Sequence, residues 1–410
     1  MSRVPLLLRL LVGIIAGALI GVVSASAGFD TPVRVFATFT SLFGALLSFA
    51  IPLIIFGFIA PGIGSLTQGA GKWLGLAVGV AYTSSVLAGL LAMATALTIY
   101  PSILGDVALS TVTNPEEGLV EPYLTLALDP PFTVTAALVL AFIFGIGMST
   151  LKDKTVQNLT EDFKTIIQGL LNHVIIPLLP IHVAGVFANM AYAGHVATIF
   201  SVFGKVLLMV LLLHVVALAT QYLVAGTISR TNPLSMIKTM LPAYFTAIGT
   251  QSSAATIPVT LRQAKKAGLR PNIADFAIPL NANIHLSGSM ITVTSCAIAV
   301  LTMAEGHEPS AIRFFPVILG LGVMMVAAPG VPGGAVVTAI GLLQSMLGFD
   351  DTMIALMIAL YLAQDSFGTA TNVTGDMAIS KIVETIGDRL IGGNTETHDA
   401  EPPVTTVSTQ

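Results

Sequence analysis

The sequence predicts an all-α integral membrane protein: eight transmembrane helices plus two opposed re-entrant helical hairpins, arranged as an inverted repeat. Three observations predict it. Of 410 residues, 54% are hydrophobic and only 9% charged, a balance far outside soluble globular composition. Eight stretches are long and apolar enough to cross a bilayer: residues 6–26, 35–63, 73–100, 132–148, 163–193, 202–227, 276–303 and 353–383. Two more, 240–259 and 314–347, are apolar but broken midway by polar or Gly/Pro residues, which a simple span avoids.

The basic residues orient the spans. If both termini are cytoplasmic, Arg3, Arg9, Lys72, Lys152, Lys154, Lys164, Arg230, Lys238, Lys381 and Arg389 all fall inside, while Arg34 and Arg313 fall outside. Residues 101–131 carry Asp106, Glu116, Glu117, Glu121 and Asp129 without a Lys or Arg, so that loop is external. The first broken segment is flanked by bases and the second by Glu305, Glu308, Asp350 and Asp351, so they enter the membrane from opposite faces. Paired broken segments of this kind point to a binding site near the midplane.

Arg3 and Arg9 before an apolar run, followed by Ala25-Ser26-Ala27, imitate a cleaved signal peptide, but the run reads as an uncleaved first span. Residues 1–391 form one membrane domain, and the Thr-, Glu- and Pro-rich stretch 392–410 is expected to be a disordered cytoplasmic tail. A net charge of -4 gives no nucleic-acid signal, and the lone Cys296 can form no internal disulfide and reads as a packing residue.

The most informative residues lie in the last span. At about 100° per residue, Asp365, Thr369, Asn372 and Asp376 project within roughly 60° of one another. An ionised Asp at mid-bilayer costs about 2.5 to 3.5 kcal/mol on insertion scales, so two on one stripe imply a polar cavity or bound cations. Asp376, one turn after Asn372, suits a cation held between a carboxylate and an amide oxygen, and Asp365 can pair with a substrate ammonium. In the first broken segment, Ser252, Ser253 and Thr256 precede Pro258, where hydroxyls and uncapped amides can bind a carboxylate. The second, residues 327–334, is rich in Gly and Pro and reads as a gate. Between them, residues 280–289 set Asn281, Asn283 and His285 at membrane depth, and Gly288 permits local unwinding that would expose oxygen ligands. His285 could bind substrate, relay protons or hydrogen-bond a neighbouring helix, whereas His182 and His214 read as structural.

These residues resemble the dicarboxylate/amino acid:cation symporter family, which includes excitatory amino-acid transporters, archaeal aspartate transporters and bacterial serine/threonine:sodium symporters. Ser252-Ser253 with Thr256-Ile257-Pro258 is similar to the family's first hairpin, Gly330-Val331-Pro332-Gly333 to its second, and Asn372-Val373-Thr374-Gly375-Asp376 to its last-helix signature. The resemblance implies a substrate site of Ser252, Ser253, Ser289, Gly330, Val331, Asp365, Gly368, Thr369 and Asn372. It implies one Na+ site from Asp376, Asn372 and the region of Asn281 and His285, and another from carbonyls around Met325, Val326 and Ala328. It further implies a plasma-membrane homotrimer in the lipid bilayer, not an enzyme, with an elevator-type transport core (about 73–100 and 202–391) moving against a scaffold (about 1–63 and 132–193).

Two departures refine the expectation. Where acidic-substrate members place an arginine, this chain has Gly368, and a second substrate carboxylate would be buried unpaired at several kcal/mol. A small neutral amino acid such as serine, threonine or alanine is therefore expected, with C4-dicarboxylates or acidic amino acids as the alternative. The family's Asn-Met-Asp-Gly-Thr stretch is His285-Leu286-Ser287-Gly288-Ser289 here, which compromises a third sodium site near Thr83, Ser84 and Ser287. Fewer coupled sodium ions are expected, with H+ through His285 as a second candidate coupling ion.

Two other classes share parts of this pattern. An intramembrane aspartyl hydrolase needs paired carboxylates, yet Asp365 and Asp376 are roughly 16 Å apart along one helix. A passive channel could also use opposed re-entrant segments, and concentrative uptake distinguishes it.

Overall fold

Spans this apolar can satisfy their backbone polar groups within the membrane only by coiling, and the long apolar segments among the described residues do so. The computed structural model describes residues 6–67, 72–104, 120–194, 196–307, 309–326, 328 and 333–392, and among these it contains helices and no strand. In order they are α1 (Leu6–Ala27), α2 (Thr31–Thr67), α3 (Lys72–Leu104), α4 (Val134–Thr150), α5 (Thr155–Leu170), α6 (Ile176–Tyr192) and α7 (Val196–Ser229). Then follow α8 (Pro233–Thr250), α9 (Ser253–Lys266), α10 (Pro271–Ile284), α11 (Ser287–Glu305), α12 (Ala311–Met325), α13 (Gly334–Leu342) and α14 (Asp351–Gly387).

Six segments are long and apolar enough to span a bilayer: Thr31–Pro61, Lys72–Leu104, Thr155–Tyr192, Ser201–Ser229, Pro271–Glu305 and Asp351–Ile391. α1 and α4 contain shorter apolar stretches, Leu11–Ala27 and Val139–Met148, at the other two expected spans, and α8–α9 and α12–α13 are the two hairpins. The hairpin turns follow from local chemistry. Gln251 ends α8 in the left-handed region (φ 52), and Ser252 starts α9 by accepting the Ala255 amide at 3.2 Å. Most of the second tip, residues 327 and 329–332, lies outside the described residues, Gly330 and Val331 included.

Helix contacts fall into two sets, which also meet each other where α2 touches α13 and where α1 and α6 touch α14. α1 runs along α6, and α2 lies against α4, α5 and α6. The α1–α6 contact is close because Gly13, Gly17 and Gly21 recur every fourth residue: a Cβ on Gly17 would lie 2.1 Å from the Ala184 carbonyl oxygen. In the other group α14 is central, touching α3, α7, α8, α9, α10 and α11. α11 is buried from Ser287 to Met303, and α14 along nearly its whole length, so both carry small and hydroxylated residues instead of the lipid-facing leucines of α7.

The 276–303 span does unwind, but not at Gly288. The helix breaks at His285 and Leu286, whose ψ angles are 92 and 47, while Gly288 sits inside the first turn of α11. Glycine is needed there for contact: a Cβ would lie 2.3 Å from the Gly368 carbonyl oxygen, at the crossing of α11 and α14.

Candidate functional site

The break between α10 and α11 leaves amides at the start of α11 without helical partners, and α14 supplies one. Asn372 Oδ1 accepts the Gly288 amide at 2.7 Å and the Ser289 amide at 3.3 Å, while its Nδ2 donates to Ser289 Oγ at 3.0 Å. Asn372 therefore caps α11 across the helix interface, and its side-chain oxygen is engaged in that role.

One turn along, His285 Nδ1 lies 3.0 Å from Asp376 Oδ1, and both side chains are wholly buried. With the carboxylate accepting, Nδ1 carries the proton and Nε2 is an acceptor. Nε2 lies 3.1 Å from Ser84 Oγ on α3 and 3.5 Å from Gln221 Nε2 on α7. Gln221 Nε2 also reaches Ser84 Oγ at 3.2 Å and Ser287 Oγ at 3.0 Å. Thus the residues expected near a third ion, Ser84, Ser287 and His285, converge on an amide nitrogen, while the Thr83 hydroxyl turns back to the Gly79 carbonyl. Gly375 lets this cluster approach α14, since a Cβ there would lie 2.6 Å from Gln221 Oε1.

A second rung runs beside the first. Asn281 Nδ2 donates to Ser380 Oγ at 3.0 Å, and Asn281 and Ser380 lie one turn from His285 and Asp376 respectively. The two adjacent rungs leave two buried oxygens without a hydrogen-bond donor, Asn281 Oδ1 and Asp376 Oδ2. Buried oxygen acceptors, one of them a carboxylate's, fit a hard monovalent cation.

Toward the other end of the stripe, Asp365 Oδ2 accepts the Gly333 amide of the second hairpin at 2.7 Å. Tyr361 and Thr369 lie one turn before and one turn after Asp365 on α14. Tyr361 Oη stands 3.2 Å from Ser289 Oγ. Ser253 is buried in the first turn of α9, which packs on α14, whereas the Ser252 hydroxyl is engaged in capping. The Met325 carbonyl accepts the Ala328 amide at 3.3 Å and Val326 ends α12, so these three lie together at the edge of the second tip. Gly368 faces α11, where a Cβ would lie 3.3 Å from Thr292 Oγ1, so glycine serves the helix crossing there.

His214 and His182 pack within their own surroundings. His214 Nε2 lies 3.1 Å from the Gly288 carbonyl oxygen and 3.2 Å from Thr292 Oγ1, and the His182 ring packs on Phe43 with centroids 4.9 Å apart. Gln221, Tyr361 and Ser380 were not singled out from the sequence. Each had a signal: a glutamine amid the leucines and valines of a span, a tyrosine one turn before Asp365, and a serine one turn after Asp376.

Opposed hairpins, a broken helix and a stripe of buried carboxylates and amides on a central span define a multi-pass membrane transporter that couples a solute to a cation. The sequence model of the sodium:dicarboxylate symporter family matches residues 6–386. The chain belongs to that family, whose members are cation-coupled secondary transporters.

Proposed function

We propose that this protein is a sodium-coupled symporter of a small neutral amino acid, of the serine, threonine or alanine type, carrying it into the cell across the plasma membrane. The observation that carries the reading is Asp365: a buried carboxylate with hydroxyl neighbours, followed one turn later by Gly368, on a helix that has no arginine between residues 351 and 387. A substrate ammonium balances Asp365, whereas a side-chain carboxylate would meet no positive partner.

In this reading Asp365, Thr369 and Asn372 hold the zwitterion, Ser253 and Ser289 lie beside it, and the Gly330–Val331 backbone closes over it. Sodium binds at Asp376 and Asn281, with backbone oxygens near Asn372 and His285, and again at carbonyls around Met325, Val326 and Ala328. The replacement of a carboxylate by Ser287 in the cluster of Ser84, Gln221 and His285 supports a stoichiometry below three sodium ions. The protein works as a homotrimer with both termini cytoplasmic, the α3 and α7–α14 group moving as an elevator against α1, α2 and α4–α6.

A dicarboxylate reading needs another base at the site. His285 is the nearest candidate, and its Nδ1 is committed to Asp376. The test is paired flux of labelled sodium and serine in proteoliposomes, with unlabelled serine, aspartate and succinate as competitors. Two sodium ions per serine and competition by serine alone support the proposal; three ions, or preferential block by aspartate or succinate, refute the corresponding part.

A further inference from the structure

The first hairpin carries a surface that the transport reading leaves unused. α8 and α9 contain no acidic residue, and their bases Lys238, Arg262, Lys265 and Lys266 all lie at the end away from the tip. The two helices run antiparallel from the turn at Gln251 and Ser252. At about 1.5 Å per residue, Lys238 stands about 20 Å from that turn, Arg262 about 15 Å and Lys266 about 21 Å, so the three share one level. All three are exposed, and among the described residues none is in an ion pair or a hydrogen bond. Lys265, by contrast, is held by Asp275 at 2.7 Å.

An apolar strip rises from these bases. α8 turns Met236, Met240, Ala243 and Ala247 inward and packs on α7, α9 and α14. Its opposite face carries Lys238, then Leu241 and Phe245 three and seven residues nearer the tip, 42% and 65% exposed. α9 repeats the pattern: Ser253, Thr256, Thr260 and Ala264 are buried, while Ala254, Pro258, Arg262 and Lys266 recur every fourth residue on the exposed face. The hairpin is thus a two-helix layer with its inner side on the core and an outer side that is apolar at depth and cationic at the rim.

We infer that this outer side seats an anionic phospholipid, its phosphate held by Lys238, Arg262 and Lys266 and an acyl chain lying along Leu241 and Phe245. Charge complementarity selects the occupant, because three unbalanced bases favour a headgroup with net negative charge over a zwitterionic one. A soluble phosphate would meet the bases and leave the apolar strip bare, whereas a phospholipid meets both at the spacing at which they occur. The lipid comes from the leaflet that the base of the hairpin faces, the cytoplasmic one in the orientation proposed above. α9 begins with Ser253, so this lipid and the solute proposed to lie beside Ser253 are held by one helix.

The test follows the thermal shift of the purified full-length protein in a non-ionic detergent on titration with dioctanoyl phosphatidylglycerol, dioctanoyl phosphatidylcholine or glycerol 1-phosphate. For the wild type, half-saturation by the phosphatidylglycerol should fall about tenfold or more below that by the phosphatidylcholine, with no shift from glycerol phosphate. The triple variant Lys238→Gln/Arg262→Gln/Lys266→Gln should lose this preference. Lys152→Gln/Lys154→Gln, which removes two exposed bases from the loop between α4 and α5, should keep it. Equal half-saturation by the two lipids in the wild type overturns the inference, as does a preference that survives the triple variant or that both charge variants lose alike. A shift by glycerol phosphate matching that of the lipid also overturns it, since an anion site needs no acyl chain. Should the triple variant fail to fold, Arg262→Gln takes its place, with a loss of about fivefold expected and an unchanged preference overturning the inference. None of these outcomes depends on which solute or ion is carried, so failure here leaves the transport reading standing.

Discussion

His285 Nδ1 and Asp376 Oδ1 face each other at 3.0 Å in a fully buried position, joining the break before α11 to the central helix α14. Removing the imidazole leaves the Asp376 carboxylate without its donor, and breaking a buried pair typically costs about 3 to 5 kcal/mol. His285→Ala is expected to lower the melting temperature of the purified protein sharply in sodium-free buffer. High sodium should recover part of the loss, because a cation at Asp376 replaces the missing partner. Equal destabilisation with and without sodium would separate His285 from the ion site.

Gly288 and Gly368 meet where α11 crosses α14. Gly288→Ala puts a methyl 2.3 Å from the Gly368 carbonyl oxygen and forces the helices apart. The Gly288 amide then leaves Asn372 Oδ1, now at 2.7 Å. Substrate-induced thermal stabilisation should vanish, with a fold penalty of about 1 to 3 kcal/mol from overpacking.

The α1–α6 contact permits a test remote from the site. A side chain at Gly17 would strike backbone at 2.1 Å, and no rotamer relieves a clash with a carbonyl. Gly17→Val is expected to cut the yield of folded, monodisperse protein, whereas substitution of exposed Val12 by Ala on the same helix should leave it unchanged. Size-exclusion profiles of the two variants make the comparison.

At the basic end of α14, Glu384 Oε1 accepts both the backbone amide (2.9 Å) and Nε (3.0 Å) of Arg270, and Lys381 pairs with the other carboxylate oxygen. Arg270 Nη2 also reaches Asp388 at 2.6 Å. The cluster ties the start of α10 to the end of α14. Glu384→Ala should cost about 1 to 3 kcal/mol, read as a lower unfolding midpoint, since it strands the Arg270 amide and leaves half-buried Lys381 with only the Gly268 carbonyl. Arg270→Ala should cost about 1 kcal/mol or less, because its guanidinium is partly exposed and screened.

Much of this architecture was legible in the residues. The broken apolar segments 240–259 and 314–347 became the hairpins α8–α9 and α12–α13, because polar and Gly/Pro residues at membrane depth have few other uses. The stripe on α14 was readable because helical periodicity is local and charge in a membrane is costly. What was hidden depends on contacts between distant elements. No spacing could assign Gly288 to a helix crossing instead of an unwound turn, since that depends on where Gly368 lies. The same holds for Gln221, which meets Ser84, Ser287 and His285 only after α3, α7 and α11 have packed.

The most direct test of the account is concentrative uptake of labelled serine into proteoliposomes under an imposed sodium gradient by Asp365→Asn and Asp376→Asn, near-isosteric changes that remove the charge and turn one acceptor oxygen into a donor. Both purified variants should retain the size-exclusion profile of the parent, and both should lose accumulation by at least tenfold, the first through the substrate and the second through sodium. Accumulation at the parental level by either variant would contradict the assignment of these two carboxylates to zwitterion and cation.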